Sequence, residues 1–211
     1  MIFQKVYEFV RGPLVQSDDV EPADLIFVLG GHRTRKVFGA LLFSRGWGPR
    51  ILMSTGDPPF IAHVLEKEAT TSIPIEKTAW QKVHDCAQLK WPSTRQCFAY
   101  LDQREWQVEE IPVGLLGTLG EIKALAHWLK NHPLIQSVLI VSIGTHLLRV
   151  RMCCERLLPP DRIVRFIAVC LSREELATRG ERSESEGLKR VLIEWSKVIL
   201  YRLLFLGPLH R

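Results

Sequence analysis

Leu25-Ile26-Phe27-Val28-Leu29-Gly30-Gly31 is the stretch on which the fold turns. Five apolar residues in succession, with no polar residue alternating between them, read as a strand covered on both faces. The two glycines end that strand and give the backbone the freedom for a tight turn. From Thr34 to Gly46 the spacing becomes helical, with Val37, Leu41 and Leu42 on one side. Arg50-Ile-Leu-Met-Ser54 is a second apolar strand, closed by the turn sequence Thr55-Gly56-Asp57-Pro58-Pro59.

The same alternation continues along the chain. Phe60 to Ala69 is helix-prone. The stretch from about 70 to 102 mixes Trp80, Trp91 and Pro92 with isolated charges and is expected as a helical or loop insert. A third strand is expected around Trp106 to Val113. Thr118 opens a helix whose Ile122, Leu125, Ala126 and Leu129 share one face. Ser137-Val-Leu-Ile-Val-Ser142 is a fourth strand, followed by a helix that begins at Thr145 or His146 and ends near Pro159. Arg162 to Val169 is a fifth. A long closing helix spans about 184–206, with Leu188, Val191, Leu192, Trp195 and Ile199 as its buried side. Apolar strands alternating with helices indicate an α/β fold. The expected architecture is a Rossmann-like three-layer sandwich with helices on both faces of a mainly parallel sheet of five strands or slightly more. Residues 1–211 read as a single domain.

Composition narrows the function classes. The chain has 211 residues, 46% hydrophobic and 24% charged, which excludes a disordered or collagen-like chain. The net charge of +5 suits an anionic small ligand, an acidic membrane surface or nucleic acid. The basic residues are interleaved with Glu, as between Arg173 and Arg190, so no nucleic-acid partner is expected. Five cysteines without regular spacing, two of them adjacent at 153 and 154, fit neither a disulfide framework nor a Cys-x-x-Cys zinc site. The histidines show no ligand spacing, so no metal is assigned. Met1 to Val20 has no signal-peptide pattern, and Glu194, Lys197 and Arg202 interrupt the apolar stretch from Val191 to Leu209. A cytoplasmic protein is expected, with peripheral membrane attachment through the last helix as the less favoured alternative to packing on the sheet.

In an open α/β sheet, ligands bind outside the carboxyl ends of the strands. Four junctions meet that condition: Gly30-Gly31-His32-Arg33, Ser54-Thr55-Gly56-Asp57, Gly117-Thr118 and Ser142-Ile-Gly-Thr145-His146. Each leads small or hydroxylated residues to a helix entrance, where free N–H groups favour an anion. Arg33, Arg35, His146 and Arg149 add basic groups at the same rim. Each piece also has a purely structural reading. Gly30-Gly31 serves equally as a tight turn, and Thr118-Leu-Gly-Glu121 has the spacing of a capping box. Neither a G-x-G-x-x-G fingerprint nor a phosphate-binding P-loop occurs, and no G-x-S-x-G or Cys-His nucleophile is present.

These residues resemble a known family. Asp24-Leu-Ile-Phe-Val-Leu-Gly-Gly31, Arg35, Gly39-Ala40, Gly46 and Ile51-Leu-Met-Ser-Thr-Gly56 are similar to the opening of the YdcF/SanA/ElyC-like bacterial domains. Gly117-Thr-Leu-Gly-Glu-Ile122, Val138-Leu-Ile-Val-Ser-Ile-Gly-Thr-His-Leu-Leu-Arg149 and Glu194 with Lys197 and Tyr201 continue the likeness. His32 replaces a frequent third glycine, and Glu121 stands where an Asn is often found. The resemblance implies a Rossmann-like fold with a pocket at the four junctions, and a connection with bacterial envelope maintenance. It also implies S-adenosylmethionine or another nucleotide-like ligand. The expected ligand-binding set is Gly30, Gly31, His32, Arg35, Ser54, Thr55, Gly56, Thr118, Glu121, Thr145, Arg149 and Glu194. His146 is the candidate acid or base, since an unperturbed imidazole titrates near ~6.5. Two functions stay open: an enzyme acting on a phosphorylated or nucleotide-like substrate, and a non-catalytic sensor or scaffold for such a ligand.

Overall fold

The apolar run forms strand β1 (Leu25–Val28), and its side chains divide by parity, as a pleated strand requires. Leu25 and Phe27, with Leu29 just beyond, enter one core; Ile26 and Val28 enter another. In this computed structural model the described residues are 9, 11–31, 33–54, 95–102, 105–112, 117–169 and 184–206. The expected helix at 60–69, Trp80, Trp91 and the Ser172–Glu175 segment lie outside them.

The described elements after β1 are α1 (Arg33–Ser44), β2 (Arg50–Ser54), β3 (Arg95–Asp102), β4 (Glu105–Pro112), α2 (Gly117–Asn131) and β5 (Ser137–Ile143). A 3-10 turn (Gly144–His146), α3 (Leu147–Leu157), β6 (Ile163–Val169) and α4 (Glu184–Leu206) follow. The strands form one six-stranded sheet in the order β4-β3-β2-β1-β5-β6. β2, β1, β5 and β6 run parallel, in a register that pairs Phe27 with Leu52 and with Ile140, and Ile140 with Phe166. β3 runs antiparallel to β2, and β4 antiparallel to β3. The sheet is therefore mostly parallel, with a hairpin on one side. β3 is a correction: it lies in the 70–102 stretch expected as helix or loop, and Phe98, Ala99 and Tyr100 are buried in the cores. β4 forms the outer edge, and the charge of Glu109 along it disfavours pairing with another chain.

Helices cover both faces. Ala40 and Leu42 of α1 pack against Ile26, Val28, Ile51, Met53, Leu139 and Val141. Gly39 allows that contact, because an added Cβ would lie 2.3 Å from Cγ2 of Val28. Leu41, expected on this inner side, is instead 37% exposed. On the other face α2 contributes Ile122, Leu125, Trp128 and Leu129, and α3 contributes Leu147, Val150 and Cys153. Trp128 is stacked on His132, with ring centroids 3.7 Å apart, and meets Tyr100 edge-on. Burial pushes the Cys153 thiol up to about 12 against the pull of Arg149, so it behaves as an inert apolar group.

α4 corrects a second expectation. Its Val191 and Val198 are buried in a small cluster with Leu14, flanked by Leu148 and Met152 of α3. Leu192 and Ile199, expected to be buried, are 54% and 55% exposed. The helix lies over α3 and a 3-10 turn at Gly12–Val15, and its outer side faces solvent. Among the described residues, no helix is long and apolar enough to cross a membrane.

Candidate functional site

β1 has β2 on one side and β5 on the other, so the connections leave it in opposite directions. In an open α/β sheet such a reversal is where a ligand crevice is expected, here at the carboxyl ends of β1 and β5. Gly30 follows β1 there, and Ser142 and the 3-10 turn end β5. α1, α2, α3 and α4 each bring side chains to the same place. Arg35 comes from the first turn of α1, Thr118 and Glu121 from that of α2, and Arg149 from that of α3. Glu194 and Lys197 reach in from the inner side of α4.

His146 sits at the centre. Its Nε2 lies 2.8 Å from Thr118 Oγ1, and its Nδ1 lies 2.9 Å from Ser142 Oγ and 3.4 Å from Arg35 Nη2. A guanidinium can only donate, so Nδ1 is the acceptor and Nε2 carries the hydrogen. Nε2–H then donates to Thr118 Oγ1. Arg149 Nη1 donates to the same oxygen at 3.0 Å. Both acceptor positions of the Thr118 hydroxyl are thereby used. Its own proton has no acceptor among the described residues.

Arg149 also donates through Nη2 to Glu194 Oε2 at 3.1 Å, and Lys197 donates to Glu194 Oε1 at 2.7 Å. The Tyr201 ring lies beneath the guanidinium, 5.4 Å from its carbon. Among the described residues, Arg149 Nε is buried without a hydrogen-bond partner, as is Ser54 Oγ at the carboxyl end of β2. Burial, followed by the charges of Arg35, Arg149 and Lys197, holds His146 well below the ordinary imidazole range. The ring is neutral at pH 7. The expectation of an ordinary imidazole titration is corrected to this extent: at pH 7 the unliganded His146 is in its neutral form. Ser142 and His146 have the spacing of a nucleophile and its base, but Ser142 is fully buried, and its hydroxyl orients the ring.

Two further corrections concern Gly30 and the expected capping box. Glu121 Oε1 accepts a 2.7 Å hydrogen bond from Gly30 N–H, and Arg35 Nη1 donates to the Gly30 carbonyl. Gly30 is thus held at both polar atoms, and its N–H is already occupied by Glu121. Thr118 is bonded to His146 and Arg149. The Thr118–Glu121 pair therefore serves neighbouring elements, because the helix entrance lies beside two buried cations and an exposed turn. Gly31 is exposed with φ of 95°, a conformation that favours glycine.

The structure brings together Gly30, Arg35, Thr118, Glu121, His146, Arg149 and Glu194 of the expected set. Ser54 lies at the end of the neighbouring strand, and Thr145 is half-buried in the 3-10 turn. His32, Thr55, Gly56 and the side chain of Arg33 lie outside the described residues. Among the described residues, no three His, Cys, Asp or Glu side chains could together hold a metal ion. Sequence reasoning did not assign Ser142 a role, although its spacing of four from His146 was a usable signal. It also missed that Lys36 is fully buried, for which no local signal exists. Comparison with protein-family models, curated proteins and solved structures finds no match to this chain.

Proposed function

We propose that this chain is a Rossmann-like, three-layer α/β protein akin to the YdcF/SanA/ElyC-like domains. In this reading it binds an anionic small ligand, phosphorylated or nucleotide-like, at the crevice between β1 and β5. One observation carries the reading: a neutral imidazole held among three cations, with the Thr118 hydroxyl proton beside it meeting no acceptor among the described residues. Burial, the larger cause of the low His146 pKa, opposes any charge there, but the charges of Arg35, Arg149 and Lys197 that add to it favour an anion at the same place. Arg35 and Arg149 supply the charge, and Thr118 supplies a directed donor that a phosphate or carboxylate oxygen accepts. Glu194 holds Arg149 in place, and Glu121 holds the turn at Gly30.

The locked ring makes a ligand sensor or scaffold the better account than an acid–base enzyme. S-adenosylmethionine is the alternative ligand, and bacterial envelope maintenance the process in which the resemblance sets the protein, on the cytoplasmic side. Calorimetric titration with inorganic phosphate, ADP and S-adenosylmethionine tests the reading. Saturable binding of at least one, weakened more than about ten-fold by Arg35→Met, is the expected result. Binding of none of the three, or an affinity indifferent to Arg35→Met, would overturn it. Mass analysis of the ligand after long incubation separates sensor from enzyme: unchanged ligand is expected.

A further inference from the structure

Residues 12–18, ahead of β1, meet three elements of the site at once. Leu14, in the 3-10 turn Gly12–Val15, is fully buried with Val191 and Val198 of α4. Val191, Glu194 and Val198 follow the three- and four-residue spacing of one helix face, so the contact that seats Leu14 also seats Glu194. Asp18 Oδ1 accepts from Arg151 of α3 at 2.8 Å, and the Arg151 guanidinium lies over the Phe166 ring. Val15 packs against Gly144, the first residue of the turn that ends in His146.

The segment is fastened along the outer strand of the sheet on this side, β6. Phe166 N–H donates to Asp18 Oδ2 at 2.8 Å, and Asp18 N–H donates to the Phe166 carbonyl at 2.8 Å. Ala168 N–H donates to Ser17 Oγ at 3.0 Å. Three backbone groups of the edge are thereby satisfied, and the place of the segment along β6 is fixed.

Gly144 shows what that place governs. Its backbone is not in the left-handed region, so conformation does not call for glycine there. Space does: an added Cβ would lie 2.6 Å from Cγ1 of Val15. The Gly144 carbonyl accepts from the N–H of Leu147, the first residue of α3, and His146 is two residues on. A shift at Gly144 therefore carries His146 and the first turn of α3, with Arg149, along with it.

We propose that residues 14–18 are a positioning strap, in which Val15, bearing on Gly144, sets where His146 and Arg149 stand relative to Thr118 and Glu194. That the strap thereby governs anion affinity rests on the reading of the crevice as an anion site; that it governs the place of His146 does not. Among the described residues, the groups around the ring are Arg35, Thr118, Ser142, Arg149 and Lys197, with Glu194 behind Arg149. None belongs to the strap, so a change in the ring's titration when the Val15 contact is altered reports a change in its position.

Exchanging bulk across that contact tests the proposal in the full chain. The readouts are calorimetric affinity for whichever of inorganic phosphate, ADP and S-adenosylmethionine binds wild type most tightly, and the His146 ring titration by NMR. Gly144→Ala should weaken binding at least about five-fold, as an overpacked contact does, and raise the ring's midpoint by at least about 0.5 pH unit as its burial loosens. Val15→Ala should weaken binding about two-fold. The two substitutions together should lie closer to wild type than Gly144→Ala alone in both readouts, because Val15 Cβ is 3.5 Å from the position of the added methyl. A ring midpoint unmoved by Gly144→Ala, or a double variant no closer to wild type than Gly144→Ala, would overturn the strap. Where Gly144→Ala alone does not fold, a double variant that folds with a near-wild-type ring midpoint is the same rescue, and one that does not fold overturns the proposal. A wild type that binds none of the three probes removes the anion reading, and the ring titration alone then decides the strap.

Discussion

The two ends of the sheet carry polar clusters built on opposite principles. At the amino end of β1, Asp24 Oδ2 accepts from the backbone N–H of Gln136 at 2.8 Å, from that of Ser137 at 2.9 Å and from Ser137 Oγ at 3.0 Å. Ser137 Oγ in turn accepts from Asp24 N–H at 2.9 Å. Burial opposes ionisation of Asp24, but the bonds from Gln136 and Ser137 and the charge of Arg50 outweigh it, so the carboxyl titrates below its usual value. Every donor there meets an acceptor, and the result is a clamp between β1 and β5. At the carboxyl end, Arg35, Arg149 and Lys197 surround a neutral His146, and among the described residues the Thr118 hydroxyl proton and Arg149 Nε meet no acceptor. A closed network holds structure; a network with donors to spare is suited to a ligand.

The sharpest way to break this contrast is Arg149→Met. It takes from Glu194 the more buried of its two cationic partners and removes a donor from Thr118, in a pair whose side chains are only 11% and 16% exposed. A stability loss of about 3 kcal/mol in urea denaturation is expected, together with loss of anion binding. A loss below about 1 kcal/mol would show that the pair is solvated. Asp24→Ala should cost about 2 kcal/mol by releasing three donors, while anion affinity stays within about two-fold. Changed affinity in that variant would mean that the two ends are coupled.

Acid should separate the clusters by range. The folded state holds the His146 pKa low, so as pH falls below about 6.5 the unfolded chain takes up a proton that the folded chain does not. Stability should therefore decline from pH 7 to pH 5.5, by up to about 1.4 kcal/mol per pH unit for this one group. His146→Gln should flatten that slope. The contribution of Asp24, whose folded pKa lies below 3.8, is fully present in this range and is lost only as pH falls through that lowered value. Urea midpoints measured across both ranges check the two signs. The smallest effect on folding is expected for Thr118→Val, about 1 kcal/mol, with a larger fractional loss of anion affinity. Unchanged affinity would remove the Thr118 proton from the proposal.

Much of the scaffold was legible because it is written in local periodicity. Leu25–Val28, Ser137–Ile143 and Ile163–Val169 are apolar runs, and Ile122, Leu125, Ala126 and Leu129 keep helical spacing. β3 was not legible. Arg95-Gln-Cys-Phe-Ala-Tyr-Leu-Asp102 has no clean alternation, and the Gln103-Arg104 link to β4 has none of the Gly or Asn that usually announces a hairpin. Its strand character comes from pairing with β2 and β4. In the site, position was legible and partnership was not. The rule that ligands gather at strand ends picked out Arg35, Thr118, His146 and Arg149, but a capping spacing gave no hint that Glu121 would bind Gly30, 91 residues away.

By itself, the sequence determined an α/β chain with a largely parallel sheet and a set of basic and hydroxylated residues at its carboxyl edge. Side-chain periodicity and the limits on glycine are local, and they act before any partner is present. Only the tertiary structure decided that His146 is neutral, that Gly30 is held from both sides, and that the aliphatic stripe of α4 faces outward. Each of those depends on groups that meet only when separate elements pack together, and on how much water is displaced when they do.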